Sequence, residues 1–174
     1  MYKKVGHHGL KYSGEGSVII RFGKTIDGAF YGYTTYAVSP ETGDRLLEFV
    51  PEKYRHGFEP SLIEVNVPNL PPHVDNEILS VLNFYVSTAG GETVFYRKPD
   101  HDVFVEKLPN QTDGAVYRAE DLMVSDSFVA KPGDVYALDI KQIHGVVNCS
   151  GLRRAYCLKS YVYNFQDVVR MFDE

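Results

Sequence analysis

The chain has only two cysteines, no CxxC pair, no apolar run long enough to cross a bilayer and no excess of positive charge. Each shortage removes a class of function. Cys149 and Cys157 cannot build a disulfide framework, and without CxxC spacing they suggest neither a zinc ribbon nor a redox motif, so they read as two reduced thiols. The opening segment MYKKVGHHGLKYSGEGSVII carries basic residues but no continuous apolar stretch. No export signal or membrane anchor is expected, which points to the cytoplasm, or the host-cell cytoplasm for a viral chain. Asn110-Gln111-Thr112 and Asn148-Cys149-Ser150 match the glycosylation sequon. Both are discounted, since that chemistry belongs to secreted chains. Eighteen Lys and Arg stand against 23 Asp and Glu, a net charge of -5. That balance disfavours a nucleic-acid partner, because phosphate-backbone binding needs a basic surface. Repeats, low-complexity tracts and Gly/Ser linkers are also missing, so the 174 residues are expected to form a single domain, 1–174.

What is present points to β structure. Hydrophobic residues make up 44% and charged residues 24%, as in folded soluble domains. Tyr and Phe number 13 and 10, Trp is absent, and Gly and Pro punctuate the chain at short intervals. Ser39 as N-cap with Pro40 in the first turn predicts a helix running to about Phe49. From residue 61 onward SLIEVNV, SVLNFYVS, ETVFYR, DVYALDI and RRAYCLKSYVY read as strands. The polar stretch between Lys98 and Val129, with Pro109, Asn110, Asp113 and Gly114, predicts a long excursion with one short strand near Ala115–Arg118. The expected fold is mainly β, a double-stranded β-helix or jelly roll with one or two supporting helices and a core at about 61–163.

The chemistry starts at Pro72-His73-Val74-Asp75. Residues two apart on a strand share a face, so His73 and Asp75 can enter one cavity and touch one metal. His-x-Asp alone is weak, but AKPGDVYALDIKQIHGV returns a strand ending at His144, a third donor from a distant segment. Two imidazoles and a carboxylate on one face of a metal leave the opposite positions open, which suits Fe(II); the same set also accepts Zn(II). Nine residues past His144 comes Arg153, then Arg154, either of which could clamp a carboxylate ligand. If Arg153 faces inward its neighbours are the small Ala155 and Cys157, whereas Tyr156 and Leu158 would crowd Arg154. Parity therefore favours Arg153, though a one-residue change of register would reverse the choice. The same parity makes Asn83 and Tyr85 a cavity-facing pair and turns Val146 inward as an apolar wall.

Across about residues 61–163, the segments HVD, NFYVSTAGGETVFY, KPGD, HGV and RRA resemble the iron(II)/2-oxoglutarate dioxygenase superfamily, in particular its short prolyl-4-hydroxylase-like members, minimal versions of which occur in phage genomes. The resemblance implies that His73, Asp75 and His144 hold Fe(II), that Arg153 binds the far carboxylate of 2-oxoglutarate, and that Tyr85 assists it. It further implies hydroxylation of a peptidyl (prolyl-like) or amino-acid side chain, with molecular oxygen consumed, 2-oxoglutarate decarboxylated to succinate and ascorbate as a reductant. Two positions depart from the family pattern. LIEVNVPNLPP lacks the tyrosine-bearing approach strand, which leaves open whether Asn66 takes its place, and Lys159 stands where an aromatic residue is common six beyond the clamp arginine.

Two other readings compete. One is a nucleobase or small-metabolite hydroxylase, and the other a non-catalytic cupin-like module that binds a metal or sugar. Other polar residues carry weaker signals. His7-His8 reads as solvated, Tyr31, Tyr33 and Tyr36 as packing on a Gly-rich hairpin, and Asp134 as a turn residue.

Overall fold

Runs rich in Val, Ile, Tyr, Phe and Thr pair into two antiparallel sheets in the computed structural model, which describes residues 1–107 and 114–173. In chain order the strands are β1 Tyr2–His7, β2 Val18–Ile26, β3 Ala29–Tyr36, β4 Phe58–Val65, β5 Leu70–Val74, β6 Ser80–Ser87 and β7 Glu92–Arg97. They continue as β8 Val105–Lys107, β9 Ala115–Tyr117, β10 Met123–Val129, β11 Asp134–Leu138, β12 Ile143–Val147 and β13 Arg153–Ser160. One sheet has seven strands in the order β1-β11-β6-β13-β4-β3-β2, the other six in the order β10-β7-β12-β5-β9-β8. The fold is thus mainly β, with two antiparallel sheets and few helices, as in a β-sandwich.

Two short helices cover the outer face of the larger sheet, and local chemistry explains both. In α1, Pro40–Leu47, the Ser39 hydroxyl accepts from the Thr42 amide and Pro40 occupies the first turn. In α2, Phe165–Met171, Asn164 and Asp167 form a reciprocal capping box, with contacts of 3.0 and 3.2 Å. Leu46 of α1 and Phe165 and Val168 of α2 pack with Leu62, Leu82, Phe84, Tyr156 and Leu158 of the sheet. Each large apolar side chain buried there contributes on the order of 1.5–3 kcal/mol.

The period-2 alternation of β13 separates two environments. Tyr156 and Leu158 face the helices, so Arg153, Ala155, Cys157 and Lys159 face the second sheet. The strand pairs with β4 on one side and β6 on the other, setting Cys157 opposite both Ser61 and Asn83. Between the sheets Tyr85, Phe95, Phe128, Tyr136 and Leu138 close one end of the interior. The other end is the cavity described below.

The structure departs from the sequence expectations in three places. DVYALDI does not continue to His144: β11 ends at Leu138, the chain turns through Asp139–Gln142, and His144 lies on β12 in the opposite sheet. The polar stretch 98–129 holds β8, β9 and β10 rather than one short strand. β10 is an edge strand whose Met123, Val124 and Val129 are exposed and whose register shifts between Val124 and Asp126, so its pattern does not alternate cleanly. Pro109, Asn110 and Asp113, with the Asn110 sequon, lie outside the described residues.

The third departure is at the N-terminus, which is patterned after all. β1 pairs with β11, and Tyr2 stacks among Phe95, Phe128 and Tyr136 at centroid distances of 5.8, 4.4 and 6.0 Å. His8, read as solvated, instead sets its ring edge against Phe84 and its Nε2 3.0 Å from the Tyr85 carbonyl, and burial lowers its pKa. Among the described residues no helix is long and apolar enough to cross a membrane.

Candidate functional site

Pairing of β5 with β12 places His73 directly opposite His144, with ring centroids 4.4 Å apart. Asp75 follows the last residue of β5, where the chain leaves the sheet. Its carboxylate oxygens lie 3.6 Å from His73 Nε2 and 4.0 Å from His144 Nε2. One donor atom from each residue falls within 4.8 Å of the others. For bonds of about 2.1 Å, adjacent donors around a metal stand roughly 3 Å apart, so small side-chain rotations would bring these three onto one ion.

Backbone carbonyls aim both imidazoles. His73 Nδ1 lies 2.8 Å from the Pro71 carbonyl and His144 Nδ1 2.9 Å from that of Gln142. Donation from each Nδ1–H leaves the Nε2 lone pair facing the shared centre, the usual outer support of a metal-binding histidine. Burial, reinforced by His73, lowers the His144 pKa to about 4 against the opposing pull of Asp75 and the Gln142 carbonyl. At neutral pH this imidazole is a neutral donor, the state a metal requires.

Deeper in the same cavity lies Arg153, 5% exposed. Its guanidinium donates to the Gly91 carbonyl at 2.7 Å and to Thr93 Oγ1 at 2.6 Å, and sits 4.9 Å from the Tyr85 ring centroid. All three partners are neutral, and among the described residues no carboxylate pairs with it. Arg154 points the other way, donating to Glu64 at 2.6 Å and Glu15 at 3.4 Å near the surface, its guanidinium over Tyr12. Gly91 lets the loop approach this closely, because a Cβ there would lie 2.3 Å from Cys149 Sγ and 3.0 Å from Arg153 Nη1.

The remaining sequence-predicted residues gather in the same cavity. Asn83, Tyr85, Val146 and Ala155 line it with the three metal-ligating candidates and Arg153. Asn83 donates weakly to the Tyr85 hydroxyl at 3.4 Å and accepts from Cys157 Sγ at 3.0 Å. Burial pushes the Cys157 thiol up to about 12, making it a packing residue rather than a nucleophile. Asn66 lies apart, accepting from the Gly32 amide at 2.6 Å and donating to the Phe30 carbonyl, and so ties β3 to the end of β4. Asp134 closes the KPGD turn by accepting from the Lys131 amide at 3.0 Å.

Several lining residues were not assigned from sequence, Tyr33 and Ser61 among them. Tyr33, taken as packing, borders the cavity, and burial with the nearby Asp75 raises its pKa. Alternation sends Tyr36 to the opposite face, where it enters the core, but does not predict that Tyr31, on the same face as Tyr33, is exposed. Only the pairing of β3 with β4, which sets Tyr33 opposite Val65, reveals the position. Lys159 and Ser61 border the outer groove that continues from the metal-ligating cluster to solvent. Lys159, already marked in the sequence as a departure from the family pattern, lies on the inward face by parity from Arg153, whereas Ser61 needed the β4–β13 register.

No protein-family model matches the chain, and no curated protein matches it. Among solved structures it is similar to the X-ray structure of E. coli ycfD, with 12% sequence identity and a TM-score of 0.45. The likeness covers 97% of this chain and 44% of that one, so the chain spans less than half the length of that structure.

Proposed function

We propose that this chain is a short prolyl-4-hydroxylase-like Fe(II)- and 2-oxoglutarate-dependent oxygenase, built on a jelly roll, that hydroxylates a peptidyl or amino-acid side chain. The observation that carries the reading is one cavity holding both a three-donor His-Asp-His cluster and a buried arginine with no carboxylate partner among the described residues. A buried cation is costly unless an anion pairs with it, and a fork of parallel N–H donors suits a carboxylate. The strand path supports the jelly roll: with β8 and β9 set aside, β4, β6, β11 and β13 belong to one sheet and β5, β7, β10 and β12 to the other.

The donor set fits the metal. His73, Asp75 and His144 would hold one face of the ion and leave the opposite positions free for cosubstrate and oxygen. When bound, iron with 2-oxoglutarate supplies the oxidation in which substrate C–H, O2 and 2-oxoglutarate become substrate C–OH, succinate and CO2, and ascorbate would keep the iron reduced. The protein's own work is placement. Arg153 pairs with the far carboxylate of the cosubstrate, held in position by Gly91, Thr93 and the Tyr85 ring. Ala155 leaves room for it, and Val146 with the surrounding apolar wall keeps water away.

Anaerobic addition of Fe(II) and then 2-oxoglutarate should produce a metal-to-ligand charge-transfer absorption in the visible. Asp75→Ala should abolish it. A wild-type protein that binds Zn(II) yet develops no such absorption with Fe(II) and 2-oxoglutarate would instead be a non-catalytic metal-binding module.

A further inference from the structure

The outer part of the groove contains two polar groups for which the metal and cosubstrate have no use. Lys159 is half-buried on the inward face of β13 and borders both the inner cavity and the outer groove. Among the described residues its ammonium has no hydrogen bond and no ion pair. Ser61, 3% exposed, borders the outer groove, and among the described residues its Oγ has no hydrogen-bond partner. The two share a face, because Ser61 stands opposite Cys157 and Lys159 follows Cys157 by two on the same strand. Unpaired polar groups so enclosed call for a ligand that satisfies them.

That ligand cannot be the cosubstrate already held by Arg153. Six residues of extended strand put the Cα atoms of Arg153 and Lys159 about 20 Å apart, well beyond the span of a five-carbon dicarboxylate. Arg153 lies at the closed end and Lys159 where the groove opens, so Lys159 faces the position from which substrate enters. The charges around it set the kind of anion. Arg21 also borders this groove, but Asp75, Glu77 and Glu59, the last opposite Lys159 in register, outnumber the two cations, which makes a dianion such as phosphate a poor match. A single carboxylate suits one ammonium and one hydroxyl.

Resting on the oxygenase reading above, we infer that Lys159 and Ser61 bind the carboxylate of the primary substrate, so that the enzyme acts on a free amino acid rather than on a residue inside a peptide. Glu59, across from Lys159, faces the substrate's ammonium group. A residue within a peptide offers neither charge, whereas a free amino acid offers both.

The test uses Zn(II)-loaded protein with 2-oxoglutarate, in which nothing turns over, and calorimetric titration of the twenty free amino acids against their primary amides. The first titration, of 2-oxoglutarate into the Zn(II) protein, checks the underlying reading by itself: failure there removes the cosubstrate site, not merely the substrate assignment. At least one acid should bind, with its amide weaker by about tenfold or more, the loss expected for one charge-assisted contact. Lys159→Met should weaken that acid by a similar factor, leaving its amide and 2-oxoglutarate unaffected, and Lys159→Arg should restore most of the affinity. Ser61→Ala should produce a smaller loss with the same selectivity. Equal binding of acid and amide, no binding by any free amino acid, or a Lys159→Met variant that loses 2-oxoglutarate instead would each overturn the inference.

Discussion

Replacing Arg153 with Met separates the clamp from the scaffold, because its consequences differ with and without ligand. In the ligand-free protein the substitution removes hydrogen bonds to the Gly91 carbonyl and Thr93 Oγ1, but also a buried charge that no carboxylate among the described residues balances. These effects oppose each other, so the net change in unfolding free energy is expected to be within about 1 kcal/mol of zero. On the proposed reading, binding of 2-oxoglutarate would have no such compensation. A bidentate guanidinium–carboxylate pair of two charge-assisted hydrogen bonds, at about 1.5–3 kcal/mol each, is worth roughly 3–6 kcal/mol. That corresponds to an increase in Kd of about 10²- to 10⁴-fold. Calorimetric titration of 2-oxoglutarate into anaerobic Mn(II)-loaded protein measures the affinity, and thermal melts with and without the ligand measure stability. Arg154→Met, which breaks ion pairs with Glu64 and Glu15 and a contact over the Tyr12 ring away from the cavity, should leave the Kd unchanged. If Arg153→Met binds 2-oxoglutarate within threefold of wild type, the buried arginine is not the clamp.

Other consequences follow from single contacts. Gly91→Ala forces a Cβ against Cys149 Sγ and the Arg153 guanidinium, and should cost about 1–3 kcal/mol of stability in urea denaturation while also weakening 2-oxoglutarate binding. In metal-free protein His144 titrates near 4 when folded and near its ordinary value of 6.5 when unfolded, so below 6.5 the unfolded chain takes up the proton first. This contribution is fully present above 6.5 and is lost as pH falls towards 4. Denaturation in EDTA should therefore show about 2 kcal/mol less stability at pH 5 than at pH 7.5, and His144→Gln should flatten that difference. Both cysteines are buried with raised pKa values, Cys157 to about 12, so a thiol reagent at pH 8 should label neither in the native protein and both in guanidinium chloride. Loss of the Asn164 capping box in Asn164→Ala should lower stability by about 1 kcal/mol without changing metal affinity.

Much of the site was legible in the sequence because β structure has a strict period. Two-residue alternation placed Arg153, Ala155 and Cys157 on one face of β13, and Asn83 with Tyr85 on one face of β6, and the lining of the cavity follows that division. The helix cap at Ser39 was equally local. Legibility ended where a strand's pattern depends on its partners. β10 carries few alternating apolar residues because it lies at a sheet edge, and β1 owes its place to pairing with β11 and to the stacking of Tyr2. His8 read as solvated because nothing in HHGL reveals that Phe84 will lie against it.

The sequence by itself determined the chemical types at the site: two histidines, an aspartate and an inward arginine, each identifiable from residue type, spacing and strand parity. Tertiary structure alone decided which distant residues meet. Strand pairing put His73 opposite His144 across β5 and β12 and left Arg153 buried without a counter-charge among the described residues. It also set Tyr33 beside Val65 and enclosed Ser61 in the groove that Lys159 borders. Parity is a property of each strand's own backbone, whereas register between strands far apart in sequence is fixed only when both sheets pack and bury their shared faces.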